Sequence, residues 1–233
     1  MCLGQYHTPD KANEVTALPD LLALLDVNGC LLTMDAIGCQ KSVTQVIGGA
    51  GAEYLLALKG NQPVLHTAVK AAFAATASTE AATTAGEKPA HGRVETRICR
   101  VLAANCLPAA LRGPEWVGLR TLVEVVATGT TAATGVTTTE TRHYLSSRQA
   151  SAAAFQGYAR RHWNIENRLH WVLDAVFGED YSRKRAGHVA AYCAIIRKFV
   201  LHLLRAQPEG KSLNRKRNLC ALSGEYRQTC LGF

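Results

Sequence analysis

A chain of 233 residues has room for one large domain, or one domain carrying an insertion. Its formal charge of +8 is unevenly spread: Tyr158 to Arg217 holds 13 of the 26 Lys and Arg but 5 of the 18 Asp and Glu, leaving 13 of each elsewhere. That concentration points to a polyanionic partner, nucleic acid first and an anionic membrane second, while the sequence has no signal peptide, no bilayer-length apolar run, no C-x-x-C pair, no zinc-finger spacing and no P-loop.

In chain order, the first expected helix is Pro19–Asp26, with proline in its first turn and Asn28-Gly29 closing it. Cys30–Met34 is a short apolar run bounded by turn signals, read as a buried, parallel strand with Asp35 at its carboxyl end. A helix from Gln40 to Ile47 leads through Gly48, Gly49 and Gly51 to a second apolar strand, Tyr54–Leu58. Lys59-Gly60-Asn61 ends that strand, and a third helix runs from Pro63 to about Ala77. Strand–helix–strand–helix order argues for an α/β sheet.

The character then changes. Residues 76–90, rich in Ala, Thr and Gly, read as a loop. Arg93–Val101, Thr121–Ala127 and Thr141–Leu145 read as strands, the last two around a Thr/Ala/Gly loop at 128–139. Three strands without helices between them suggest an antiparallel insertion. Helical periodicity returns near Ser151 and again over Val189–Arg205, and Lys211–Arg217 forms a basic cluster. The eight cysteines are scattered, several in apolar runs where Cys acts as a small hydrophobe, which fits a reducing, cytoplasmic setting.

Residues 158–174 carry the strongest chemical signal. Glu166 lies in a helical stripe of Trp163, Leu169, Trp171 and Leu173, surrounded by Arg160, Arg161, His162, Arg168 and His170. One acid among cations suits a metal-dependent enzyme acting on a polyanion, the acid holding metal and the cations holding phosphate. The plainer alternative is a surface helix with Glu paired to Arg. Trp163 and Trp171, eight apart, are read as core rather than as DNA wedges, and His162 and His170 as packing or stacking groups.

Asp35 ends its strand where α/β sheets commonly place ligand-binding groups, although a turn or cap role is the commoner fate. The surrounding segment, Thr33-Met34-Asp35-Ala36-Ile37-Gly38-Cys39-Gln40-Lys41, closely resembles the "T-[IM]-D-A-[MI]-G-C-Q-K" signature of ISAs1-type transposases, a branch of the IS4-like insertion-sequence transposases. Further segments follow in the family's order: Asp10–Pro19, Tyr54–Gln62 against "Y-[VL]-L-A-L-K-G-N-Q", His91–Arg97 against "H-G-R-x-E-x-R", and Arg161–Asp174 against "H-W-x-I-E-N-x-L-H-W-V-L-D". Phe177–Asp180 with Ser182 and Arg183 continues the match, which extends over about residues 3 to 217.

The resemblance implies an RNase H-like α/β fold with an antiparallel β insertion, and DDE chemistry in which three acids bind two Mg²⁺ or Mn²⁺ ions that activate a hydroxyl and stabilise the leaving oxygen. It makes Asp35 the second acid and Glu166 the third, and leaves Asp174, Glu179 and Asp180 as open additions. It implies transposon-end double-stranded DNA as substrate, a homodimer in the transposition complex, and a bacterial, nucleoid-associated setting without membrane. The candidate DNA contacts are Lys59 and Asn61, for which a turn role is an equal alternative, and Arg160, Arg161, His162, Arg168, Arg215, Lys216 and Arg217. Two departures stand out. Where the wider IS4-like pattern has Arg before and Lys after the glutamate, this chain has His162 and Leu173. The "I-D-G-K" strand bearing the family's first acid has no counterpart here, so the expectation is a core lacking its first strands, with impaired activity. The expected division is a truncated core at 1–75, loop and β insertion at 76–148, a helical part of the core at 149–206 and a basic tail at 207–233. Two alternatives to a transposase are an inactive DNA-binding remnant and an unrelated basic structural domain.

Overall fold

A computed structural model describes residues 14–76, 81–85, 93–131, 133–184 and 186–232, with Gly4 and Tyr6. Asp10–Asn13 and His91-Gly92 of the family-like motifs lie outside the described residues. The chain forms two compact units, one within Thr8–His162 and one within Trp163–Phe233 that Gly4 and Tyr6 join.

The first unit is built on one six-stranded sheet. A 3-10 turn, Glu14–Ala17, leads into α1 (Leu18–Ala23), where Pro19 occupies a first-turn position with no intrahelical N–H to lose. Then come β1 (Leu31–Met34), α2 (Lys41–Gly49), β2 (Glu53–Leu58) and α3 (Pro63–Ala75). Next are β3 (Ala81–Ala85), β4 (Arg93–Ala103), β5 (Thr121–Thr131), β6 (Thr137–Ser146) and α4 (Ala152–Ile165). The sheet order is β1-β2-β6-β5-β4-β3. β1 and β2 run parallel, Leu31 opposite Glu53 and Met34 opposite Leu56. Every other pairing is antiparallel. The antiparallel strands therefore extend the same sheet as the parallel pair, because β6 pairs directly with β2.

β2 explains the apolar run of its sequence. Successive side chains of a strand point to opposite faces. Tyr54, Leu56 and Leu58 enter a core with Val43 and Ile47 of α2 and Leu65, Val69 and Phe73 of α3. Leu55 and Ala57 enter a second core with Tyr144, Phe155 and Ala159, the last two from α4. A strand covered on both faces has no polar alternation to show.

Three expectations about the sheet change. β1 was expected to be buried, yet all four residues are half-buried, because it is the edge of the described sheet. Ala81–Ala85, inside the expected loop, forms an edge strand in register with Thr96–Arg100 of β4, which supplies the hydrogen-bonding template. The expected loop at 128–139 is mostly hairpin: Thr128 pairs with Thr139 and Thr130 with Thr137, their hydroxyls 3.4 Å and 2.9 Å apart. Gly135, at φ 66°, helps turn the chain between them.

In the second unit, a π-helical turn, Glu166–His170, precedes α5 (Trp171–Phe177), which Gly178 ends in the left-handed conformation at φ 62°. Then follow α6 (Val189–Ala206), α7 (Leu213–Leu222) and α8 (Gly224–Leu231). Val172, Leu173 and Leu201 are buried, with Leu169, Val176, Phe177 and Leu213 packed around them. Leu169, Val172, Leu173 and Val176 have the i, i+3, i+4, i+7 spacing of a buried stripe. Trp171 falls off that stripe and is 64% exposed, against the expectation of a core tryptophan. The expected basic tail is helical: Ser212 caps α7 by accepting from the Arg215 N–H, and Ser223 caps α8 by accepting from the Tyr226 N–H.

Candidate active site

Asp35 follows the last residue of β1 and caps a 3-10 turn, Ala36–Gly38, its Oδ1 accepting the Ile37 N–H at 3.1 Å. The residue is exposed. The turn beneath it is held by side chains that follow β2. Asn61 Nδ2 donates to the Ala36 carbonyl, and Gln62 Nε2 donates to the Cys39 carbonyl at 3.1 Å. Gln40 Nε2 donates to the Ile37 carbonyl at 2.9 Å. Parallel pairing of β1 and β2 brings the two strand ends together, so a motif ending one strand can brace the turn leaving the other. Gly38 belongs to this packing: a Cβ there would lie 2.8 Å from Met34 Cβ and 2.7 Å from its Cε.

The amide of Asn61, a candidate DNA contact, thus donates within the fold, which is the turn role. Lys59 is exposed. His162, another candidate, is half-buried on α4, its Nδ1 3.0 Å from the Thr33 hydroxyl of β1. That bond ties α4 to β1 within the first unit. Arg160 and Arg161 are exposed, and the Arg161 guanidinium lies over the Tyr158 ring, 5.7 Å from its centroid.

Glu166 opens the π-helical turn, and its side chain lies outside what the structure describes. π turns are rare and concentrate at functional sites. Arg168 is exposed, its carbonyl accepting from Arg205. Asp174 stands in the first turn of α5. Glu179 pairs with Arg197 of α6 at 3.5 Å, and Asp180 is exposed. Arg215 and Arg217 are exposed on α7, Arg217 donating to the Val176 carbonyl. Lys216 departs from its expected role. It is 5% exposed, and its Nζ donates to the carbonyls of Leu204 at 3.2 Å and Gln207 at 2.8 Å. Its ammonium therefore caps the carboxyl end of α6, where the helix dipole favours a cation, and does not face solvent.

Among the described residues no three His, Cys, Asp or Glu side chains gather into a metal site. The Asp35 carboxylate is exposed at a strand end and is a hard oxygen ligand, the donor type that Mg²⁺ and Mn²⁺ take. It fits a divalent ion as one ligand of several.

Sequence reasoning missed a polar chain across β4, β5, β6 and α3, buried at Glu124 and His143 and half-buried at its Arg100 and His66 ends. Arg100 Nε donates to Glu124 Oε1 at 2.8 Å, and the other Glu124 oxygen is 3.3 Å from His143 Nε2. His143 Nδ1 is 3.3 Å from His66 Nε2. Burial pushes both histidines below their ordinary pKa; Lys70 adds to this for each, while Glu124 opposes it at His143. Nothing in the sequence pairs these four residues, because the register of three strands creates the chain.

Residues 2–204 match the family described as "Transposase DDE domain". The chain is 38% identical to "Putative transposase YncI" of Escherichia coli O157:H7, over 98% of this chain and 60% of that protein. It is 34% identical to "H repeat-associated putative transposase YhhI" of Escherichia coli K12, over 99% of this chain and 62% of that protein. A third relative, "Uncharacterized protein in dhlA 3'region" of Xanthobacter autotrophicus, is 42% identical over 54% of this chain. The chain spans about 60% of the length of the two Escherichia coli proteins it matches.

Proposed function

Because the chain belongs to the transposase DDE domain family, we propose that it supplies Asp35 and Glu166 to the catalytic centre of an ISAs1-type, RNase H-like transposase that cuts and joins transposon-end DNA. The observation that carries this reading is Asp35: a family-motif carboxylate, exposed at the end of a parallel strand, on a turn braced by Asn61 and Gln62 of a second family motif.

Asp35 and Glu166 act as metal-holding carboxylates. When bound, a divalent ion such as Mg²⁺ or Mn²⁺ supplies Lewis acidity at phosphorus and lowers the pKa of the attacking hydroxyl. The chain's own contribution is position and charge. Asn61 and Gln62 keep the Asp35 backbone from yielding when a cation pulls on the carboxylate. His162 holds α4 against β1. Arg160, Arg161 and Arg168, with Arg215 and Arg217, hold phosphates of duplex DNA, with Lys59 beside the Asp35 turn.

These 233 residues carry two of the three acids that the ISAs1 resemblance names. Two carboxylates compensate the repulsion between two divalent ions less well than three. On a plasmid bearing cognate transposon ends, the 233-residue chain alone should leave nicking at background in Mg²⁺ or Mn²⁺. Joining an "I-D-G-K" segment ahead of it should restore cleavage, and Asp35→Ala or Glu166→Ala should abolish that. Cleavage that survives both substitutions would overturn the assignment. The second reading, a DNA-binding remnant without catalysis, rests on the positive charge gathered at 158–217. It predicts DNA binding with no cleavage even after the added segment.

A further inference from the structure

Cys220 near the end of α7 and Cys230 near the end of α8 bring their sulfurs to 3.6 Å, the Cys220 thiol donating to Cys230. The helices are joined by Ser223 alone, which ends one and caps the other, so the approach of the two thiols is built into the hairpin. Cys230 is buried and Cys220 half-buried. Reagents therefore reach Cys220 first, and Cys230 stands behind it as a resolving thiol. The sulfurs already stand at van der Waals contact, and a disulfide brings them to about 2.05 Å.

We propose that Cys220 and Cys230 are a thiol modification site, in which exchange with a small-molecule disulfide links α7 to α8. The Cys220 thiolate attacks one sulfur of the small disulfide, forming a mixed disulfide and releasing one thiol. The Cys230 thiolate then attacks the Cys220 sulfur, forming the intramolecular bond and expelling the second thiol. Two protein thiols are oxidised, one small disulfide is reduced to two thiols, and the two protein protons end on them. The bond fixes the helix whose Lys216 caps α6, so oxidation restrains α6, α7 and α8 together. Burial and the neighbouring Cys230 hold the Cys220 thiol above its ordinary pKa, so exchange is slow at neutral pH and quickens as pH rises.

The test is peptide mapping of the unaltered protein after incubation with oxidised glutathione, alkylation of remaining thiols and trypsin digestion. Trypsin cuts after Arg217 and Arg227, separating the cysteines into Asn218–Arg227 and Gln228–Phe233. The expected product is those two peptides joined, about 2 Da lighter than their reduced sum. It should form at the same yield when the protein is diluted about tenfold, as an intramolecular step does. Cys193→Ser should keep it and Cys220→Ser should lose it. Persistent glutathione on Cys220 without the linked product would overturn the proposal. So would linkage that falls with dilution, or modification of exposed Cys30 and Cys106 that leaves Cys220 and Cys230 as free thiols.

Discussion

Replacing Asn61 by Ala removes the donor that holds the Ala36 carbonyl beside Asp35. The loss should be about 1 kcal/mol, the usual net worth of one such bond, read as a lower denaturant midpoint. Amide exchange at Ile37 and Gly38 should quicken, while salt dependence of DNA binding stays unchanged; a flattened salt response would return Asn61 to the DNA contacts. Gly38→Ala should cost more, about 1–3 kcal/mol, since Met34 Cβ cannot rotate away from the added methyl. The His66–His143 pair gives a pH prediction. Both pKa values are lowered by folding, so below about pH 6.5 the unfolded chain takes up protons that the folded chain refuses. Their contribution is fully present above that pH and is lost as pH falls toward the folded values. Urea midpoints at pH 7.5 and 5.5 should differ in that direction, and His143→Gln should shrink the difference. The sequence left Asn61 between a turn and DNA, and showed neither the packing of Gly38 nor the histidine pair. A motif announces Asn61 and Gly38 but not what they touch, and His143 sits in a strand like any other polar residue.

At the scale of the element, Lys216 and its neighbours separate two roles that composition merges. Lys216→Ala should destabilise the second unit by about 1.5–3 kcal/mol, the value of hydrogen bonds from a charged donor, by leaving the Leu204 and Gln207 carbonyls without it. It should leave the salt slope of DNA binding unchanged. Arg215→Ala and Arg217→Ala should each flatten that slope by about 0.9 if each meets one phosphate. A flattened slope for Lys216→Ala in a folded protein would sink the capping role. Elements were legible where local pattern and tertiary environment agree. β2 reads as a buried strand because both faces are covered, and α3 starts at Pro63 as its sequence says. β3 was hidden because five residues of Ala and Thr become a strand only beside β4. The π turn at Glu166 was hidden because no residue type marks an extra residue in a helical turn.

For the whole molecule, charge is the property read most directly. The protein should bind duplex DNA with affinity that drops steeply from low to physiological salt, with a log–log slope near −4 to −5 if about five phosphates are neutralised. Binding indifferent to salt would remove the nucleic-acid reading. No described helix is long and apolar enough to cross a membrane. The topology of the first unit bears on how the chain is made. β2 has β1 as a near neighbour in sequence, but its other edge waits for β6, with Tyr54 and Ser146 bonded across 92 residues. During synthesis, Leu55 and Ala57 stay without their Tyr144 and Phe155 neighbours until those residues leave the ribosome. Long-range pairing of this kind folds slowly and leaves apolar strand surface open to aggregation meanwhile. Recombinant yield should therefore respond to slower translation and to chaperone supply more than to changes in any exposed side chain.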